Sequence, residues 1–358
     1  MDHSLLLAIN PGSTSTKIAV FENGSKLFQA NISHSVEVLK AYKSVVEQLQ
    51  FRKNAILAEL KAHSMDSSKV ALVVGRGGLV KPIKSGVYEV NEALKKDLTS
   101  CKYGEHASNL GALIADDIAG SFPNAKAYIV DPVVVDELDP VARVTGIPSV
   151  ERRSIFHALN QKSIARRFAN EQGKSYENLN LVVAHLGGGV SVGAHRHGNV
   201  VDVNNALDGD GPMAPERSGS LPAGQLVDLC YGGKYTWQEM RSLLTGKGGL
   251  VAHLGTNSGQ EVVQRAQQGD AQYKLLIDSM SYQTSKWIGA MAAVLQGRVD
   301  AILITGGLAY NACLVDDIRA RTEFIAPIHV YPGEDEMSAL AHGVIDALEG
   351  IAPLRKYE

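Results

Sequence analysis

Two short segments of this chain carry the residue types that grip phosphate. Asn-Pro-Gly-Ser-Thr-Ser-Thr-Lys at 10–17 follows the apolar run 5–9, and His-Leu-Gly-Gly-Gly-Val-Ser at 185–191 follows the apolar run 181–184. Glycine and serine let backbone N–H groups approach phosphate oxygens, and successive N–H groups in a turn form an anion-binding nest. Asn10, Gly12, Ser13 and Ser15, with the charge of Lys17, make the first candidate loop; His185, Gly187, Gly188 and Gly189 make the second. The Gly-x4-Gly-Lys-Ser/Thr spacing is absent, and a dinucleotide loop opens a helix, whereas each segment here reads as opening a β-hairpin. Taken singly, each also reads as an ordinary glycine-rich connection. The pair, with matching hairpins downstream, predicts a nucleotide held in a cleft between two related halves.

Further candidates stand at strand ends, where open α/β sheets bind ligands. A strand at 70–74 runs into Gly-Arg-Gly-Gly at 75–78 and places Arg76 in a glycine turn; a strand at 125–130 ends at Asp131, before Pro132. Asp-Pro is also a common turn opening, so Asp131 has a local reading beside the site reading. The strand at 301–304 ends in Thr-Gly-Gly, a third nucleotide-loop candidate containing Gly306 and Gly307. The stretch 208–220 is too rich in glycine and proline for a regular element, and its length suits a functional loop around Arg217 or a loop salt bridge. Glu334 and Glu336 precede a terminal helix at 337–348, where acids suit the helix dipole.

The elements that position these residues follow from periodicity. Asn23-Gly24 favours a type I′ turn between strands 17–21 and 27–30, and Gly198-Asn199 reads as the matching turn of the second hairpin. Apolar residues at 39, 42, 46 and 49 predict a helix over 36–60; others are expected at 104–119, through about 168 after Arg152-Arg-Ser-Ile-Phe-His157, and over much of 223–296 with a break at 246–259. His195 and His197 share a strand face beside the turn and read as solvent-facing, and His106 could cap a helix.

The chain has 358 residues, enough for two domains, and 45% hydrophobic content suits globular cores. A net charge of -3 with mixed signs gives no nucleic-acid or anionic-membrane footprint. Three widely spaced cysteines fit a reducing compartment. With no basic leader and no apolar stretch near the ~18 residues of a membrane span, the expectation is a soluble, cytoplasmic protein.

In order along the chain stand Asn-x-Gly-Ser-x-Ser-x-Lys at 10–17, Arg-Arg-x-x-Phe-His at 152–157, His-Leu-Gly-Gly-Gly at 185–189, Arg-Ser-Gly at 217–219, Thr-Gly-Gly at 305–307 and Glu336. This set resembles the acetate/butyrate kinase family over nearly the whole chain. Gly188, and Gly-Arg-Gly-Gly at 75–78, are more similar to the butyrate-using members than to the acetate-using ones. The resemblance implies an α/β fold of two duplicated actin-like (ribonuclease H-like) domains, mixed sheets flanked by helices, with ATP in the cleft. The domains would be 1–150, joined by the terminal helix 337–358, and 151–336. It implies reversible phosphoryl transfer between ATP and butyrate, with acetate, propionate or a branched acid as alternative substrates and a non-catalytic ATP-binding module as the rival of another class. Arg217 and Arg76 would bind the acid and the phosphoryl oxygens, and His157 would donate a hydrogen bond to the transferred group. Asp131 and Glu336 would organise Mg²⁺, with Glu334 competing for that role. Gly306, Gly307 and Asn311 would lie near the adenosine. A homodimer or higher homo-oligomer is implied as well.

Overall fold

The computed structural model describes residues 4–358. The chain divides into two compact units, Met1–Val135 with Asp335–Glu358, and Asp136–Glu334. The first is built on β1 (Leu5–Pro11), β2 (Ser15–Glu22), β3 (Ser25–Ser33), β4 (Val70–Arg76), β5 (Val87–Glu89) and β6 (Lys126–Val130), in the order β5-β6-β4-β1-β2-β3. All seven residues of β1 are buried, as expected of a strand with neighbours on both edges and helices on both faces. Leu7 and Ile9 pack with Leu110 and Ile114 of the helix Asn109–Ala119. Strand alternation sends Leu6 to the other face, where it lines a cavity with Ile345 and Leu348 beside the helix Glu336–Leu348.

The second unit is built on β7 (Asn180–Leu186), β8 (Val190–Arg196), β9 (Asn199–Val203), β10 (Ala301–Gly306) and β11 (Ile328–Pro332), in the order β11-β10-β7-β8-β9. Val182, Ala184, Ile302 and Ile304 form its core with Met280 and Ile288 of the helix Ala271–Val294. A last strand, β12 (Leu354–Arg355), returns to the first sheet beside β5. In each unit an antiparallel three-strand meander is followed by two parallel strands added on the meander's first edge. The expected duplication and the mixed, helix-flanked sheets are therefore both present.

Several local expectations are corrected. The helix expected over 36–60 is split into Val36–Leu39, a 3₁₀ turn Val46–Gln48 and Leu49–Ala62. Carboxylates of Glu47 and Glu105 take the backbone N–H groups of Lys43 and Val45, which diverts the chain from helix. The helix expected from 104 starts at Asn109, because the Asn109 amide caps Gly104 O at 2.9 Å and holds the preceding turn open. The second hairpin turns at His197-Gly198, with φ of 49° and 82°, one residue earlier than the sequence suggested. The helix after His157 begins at Ala158 and runs to Glu171, and the break at 246–259 contains the short helix Gly249–Leu254. Among the described residues no helix is long and apolar enough to cross a membrane.

Candidate active site

In the first unit, three adjacent parallel strands end side by side. Ile9 pairs with Gly75 and Arg76 with Val130, so Asn10, Arg76 and Asp131 follow one another along the carboxyl edge of the sheet. Arg76 is the last residue of β4 rather than part of the glycine turn, because pairing with β6 continues through it. Its Nη1 lies 2.8 Å from Glu336 Oε1 and touches Asn10 Oδ1 at 3.5 Å, and the Asn10 amide donates to the same Glu336 carboxylate. Glu336 opens its helix, so this carboxylate sits at a dipole's positive end as well as beside a guanidinium.

Asp131 is almost fully buried and holds φ of +36°, a left-handed conformation that costs a non-glycine residue energy. Its surroundings enforce it. Oδ1 accepts from Ser85 Oγ at 2.6 Å and from Gly86 N at 2.8 Å, while Asp131 N donates to Gly86 O at 3.1 Å. Arg355 of β12 donates to Ser85 O at 2.8 Å and braces the clamp from outside.

The first loop is a tight turn in which Gly12 N donates to Ser15 O at 2.8 Å. Ser13 is exposed, and Ser15 and Lys17 are half-buried. Beneath the turn lies Arg52, 1% exposed, which sequence reasoning missed. Its guanidinium donates to the carbonyl oxygens of Gly12, Ser15 and Ser13 and to Thr16 Oγ1, with Gln48 as a fifth acceptor. His106, by contrast, hydrogen-bonds Ser108 in the turn ahead of the helix Asn109–Ala119.

The second unit gathers its candidates at the corresponding sheet edge. His185, next to last in β7, stands opposite Thr305 of β10, and Gly306 bridges to Gly333 through paired backbone bonds of 2.9 and 3.2 Å. Gly306 has φ of +95°, and a Cβ there would come 2.3 Å from Leu186 O, so only glycine lets β10 approach the start of the second loop. The loop closes through Gly187 N to Gly189 O at 3.0 Å, and Glu216 N donates to Gly188 O at 3.2 Å.

His157, the residue before the helix Ala158–Glu171, stacks on His185 with ring centroids 3.8 Å apart and planes 14° from parallel. His185 Nδ1 pairs with Asn160 Oδ1 at 2.7 Å, and its Nε2 lies 3.0 Å from Glu334 Oε1 but off the line of a hydrogen bond. Glu334 thus faces His185, whereas Glu336 faces Arg76. A Cβ on Gly189 would lie 3.6 Å from His157 Cε1 and 3.8 Å from Arg217 Cγ, so the bare glycine backbone is flanked by both candidate side chains. Arg217 makes only long contacts of 3.4 Å to Glu216, and its buried Nε has no hydrogen-bond partner among the described residues. A buried donor left without an acceptor is costly, and an anionic ligand would satisfy it.

Gly307 and Asn311 border a cavity of about 670 Å³ lined also by Gln260, Val263, Gln264 and Tyr310. Asn311 caps the helix Ala312–Thr322, and its buried Nδ2 has no partner among the described residues. Sequence reading could not reach Gln260 or Gln264, which come from a helix some 50 residues before Asn311 with unremarkable composition. One expectation fails outright. His195 is fully buried, bonded to Tyr176 and Gln161, while only His197 is exposed. β8 ends at Arg196, and His197 stands in the turn with φ of +49°, so the two histidines do not share the strand alternation on which the expectation relied.

The model of the acetokinase family matches residues 146–330. The chain is 55% identical to butyrate kinase 2 of Clostridium acetobutylicum over 353 residues, 99% of each chain. It is 52% identical to a probable butyrate kinase of Bacteroides thetaiotaomicron over the same shares. Among solved structures, Porphyromonas gingivalis acetate kinase superposes with a TM-score of 0.77 at 18% identity, covering 96% of this chain and 99% of its own. Entamoeba histolytica acetate kinase gives a TM-score of 0.74 at 16% identity, covering 95% and 98%.

Proposed function

The chain belongs to the acetokinase family, and from that premise we propose that it transfers the γ-phosphoryl group of ATP directly and reversibly to butyrate, giving ADP and butyryl phosphate. The observation that carries the choice of acid is the 55% identity to a butyrate kinase across 99% of both chains.

The chemistry asks little of a general base. A carboxylic acid with a pKa near that of Asp or Glu is already ionised at neutral pH, so its oxygen is a ready nucleophile. The obstacle is bringing an anion against a polyphosphate, which makes positioning and cationic stabilisation the main tasks. Arg217, whose fork can hold a carboxylate or phosphoryl group by two bonds, takes that work in the second unit, with Arg76 assigned to the first. His157 donates to an oxygen of the transferred group. The turn at 12–15 in the first unit and the loop at 187–189 in the second are each assigned to phosphate, and Gly306, Gly307 and Asn311 to adenosine. What supports these roles is the unpartnered Arg217 Nε, the cavity beside Asn311 and the glycine backbone between His157 and Arg217.

Mg²⁺ suits the oxygen donors of Asp131 and Glu336, since it takes one or two protein carboxylates and completes its shell with phosphate oxygens and water. Bound there, it would neutralise charge on the phosphate chain. Asp131, strained and clamped, contributes a carboxylate fixed in place before any ligand arrives.

We also assign the protein to the cytoplasm and to a homodimer or higher homo-oligomer. Val141, Val144, Ile147 and Val150 all expose more than half of their surface on one short stretch of the second unit, an apolar row that a second copy would cover. A monomer mass by light scattering would contradict the assembly. The substrate is tested by trapping acyl phosphate with hydroxylamine, using ATP and straight or branched acids of two to five carbons. Highest turnover with butyrate is expected. A preference for acetate, propionate or a branched acid would replace the substrate, and no hydroxamate with any acid would favour a binding module.

A further inference from the structure

Behind His157 runs a line of buried polar side chains that the phosphoryl-transfer roles do not use. Tyr176 Oη is 2.7 Å from His195 Nδ1; His195 Nε2 is 2.9 Å from Gln161 Oε1; Gln161 Nε2 is 2.8 Å from Ser191 Oγ and 3.1 Å from Ser191 O; and Ser191 Oγ is 2.8 Å from His157 Nδ1. Gln161, Ser191 and His195 are completely buried. Gly193 makes room for the line, since a Cβ there would come 2.7 Å from Gln161 Oε1 and 3.4 Å from His195 Nε2.

The direction of each bond follows from the one group whose role cannot change. The backbone carbonyl of Ser191 only accepts, so the Gln161 atom facing it must be the amide nitrogen. Gln161 Oε1 then faces His195 and needs a donor, which puts a proton on His195 Nε2. Burial holds the His195 imidazole well below the ordinary histidine value, so the ring is neutral and its bare Nδ1 accepts from the Tyr176 hydroxyl. Gln161 Nε2 also donates to Ser191 Oγ, and the serine hydroxyl is left to direct its own proton to His157 Nδ1.

We infer that Gln161 and His195, acting through Ser191, are positioning residues that fix neutral His157 as the Nε2–H tautomer, so that Nε2 is the edge offering a proton to the transferred phosphoryl group. The first half of this inference is a property of the folded chain; the second rests on the role proposed for His157. His157 stacked on His185 has its ring plane fixed, and the buried line fixes which edge carries the proton.

The test is ¹⁵N NMR of the full chain labelled at histidine, with the His157 signals assigned by their loss in His157→Asn. Above the titration of His157, the wild type should show a protonated Nε2 and a bare Nδ1. Ser191→Ala should let the Nδ1–H form appear and lower kcat roughly 10- to 100-fold with little change in the KM for ATP. Gln161→Met should do the same, and Ser191→Thr, which keeps the hydroxyl, should restore both the tautomer and turnover. A wild-type spectrum showing the Nδ1–H form would overturn the inference whether or not the variants fold. So would Ser191→Ala with unchanged tautomer and kcat. The spectrum needs no substrate, so the tautomer can be established even if no acyl phosphate is made, which keeps this failure distinct from failure of the kinase reading.

Discussion

Arg52 Nη1 lies 2.8 Å from the carbonyl oxygen of Gly12, at the base of the turn proposed to hold phosphate. A guanidinium can only donate, so it collects the carbonyls of Gly12, Ser13 and Ser15 on one side; the Gly12 N–H closes the turn on Ser15 O, and the proposed anion site rests on the loop's remaining N–H groups. Arg52→Met should raise the KM for ATP by about 10- to 100-fold, the effect of losing one or two charge-assisted hydrogen bonds. Arg52→Lys should restore little of it, because an ammonium cannot span three carbonyls. Steady-state kinetics in ATP at saturating butyrate check this; a KM unchanged in Arg52→Met would remove the loop from the account.

The clamp on Asp131 predicts an effect on magnesium. Ser85→Ala removes the 2.6 Å bond to Oδ1 and loosens a side chain held on a strained backbone. A right-shifted Mg²⁺ titration of activity is expected, with a loss of roughly 5- to 30-fold in kcat, the equivalent of about 1–2 kcal/mol. An unchanged Mg²⁺ titration would separate Asp131 from the metal.

Arg217 carries the largest kinetic prediction. Arg217→Ala should lower kcat by about 10²- to 10³-fold, as expected when a donor to developing charge is removed, while leaving nucleotide affinity little changed. Rapid-quench turnover and equilibrium binding of ADP together test it. Full turnover in the variant would reassign the residue.

Buried histidines set the response to acid. In the folded chain His195 is held neutral by burial, and His34 is lowered in the same direction by burial and by the charge of Arg52. Unfolding frees both to protonate below about 6.5, so the unfolded state binds protons that the native state refuses. Stability is therefore fully present above that value and falls as the pH drops through it, by up to about 1.4 kcal/mol per pH unit for each group. Denaturant unfolding between about pH 7.5 and about pH 5.5 should show the loss, and His195→Gln should flatten the slope even if it lowers stability throughout. An identical slope in that variant would contradict the assignment.

The features visible in the sequence are those written in small residues and short spacings. The loops at 10–17 and 185–189, the strand-end acid at Asp131 and the duplicated hairpins are legible because glycine, serine and Asp-Pro mark strand ends and turns, and because the strand-loop-hairpin unit occurs twice. Groups that act from a distance left no such trace. Arg52 reads as one more charge on a helix, and only folding brings it under Gly12, some 40 residues earlier. His195 looked solvent-facing because its partners, Tyr176 and Gln161, belong to other elements, and because His197, two residues on, belongs to the turn and not to the strand. Histidine and arginine at 157 and 217 acquire meaning only through Gly189, the point where the fold makes them neighbours.

The central claim is that a carboxylate oxygen of butyrate attacks the γ-phosphorus of ATP, and isotope transfer tests it most directly. Butyrate labelled with ¹⁸O in both carboxyl oxygens is incubated with ATP and the protein, and the product is trapped with hydroxylamine, which attacks the acyl carbon and releases the bridging oxygen with phosphate. The account predicts one ¹⁸O in each phosphate released, in step with hydroxamate formed. Hydroxamate accompanied by unlabelled phosphate would contradict it.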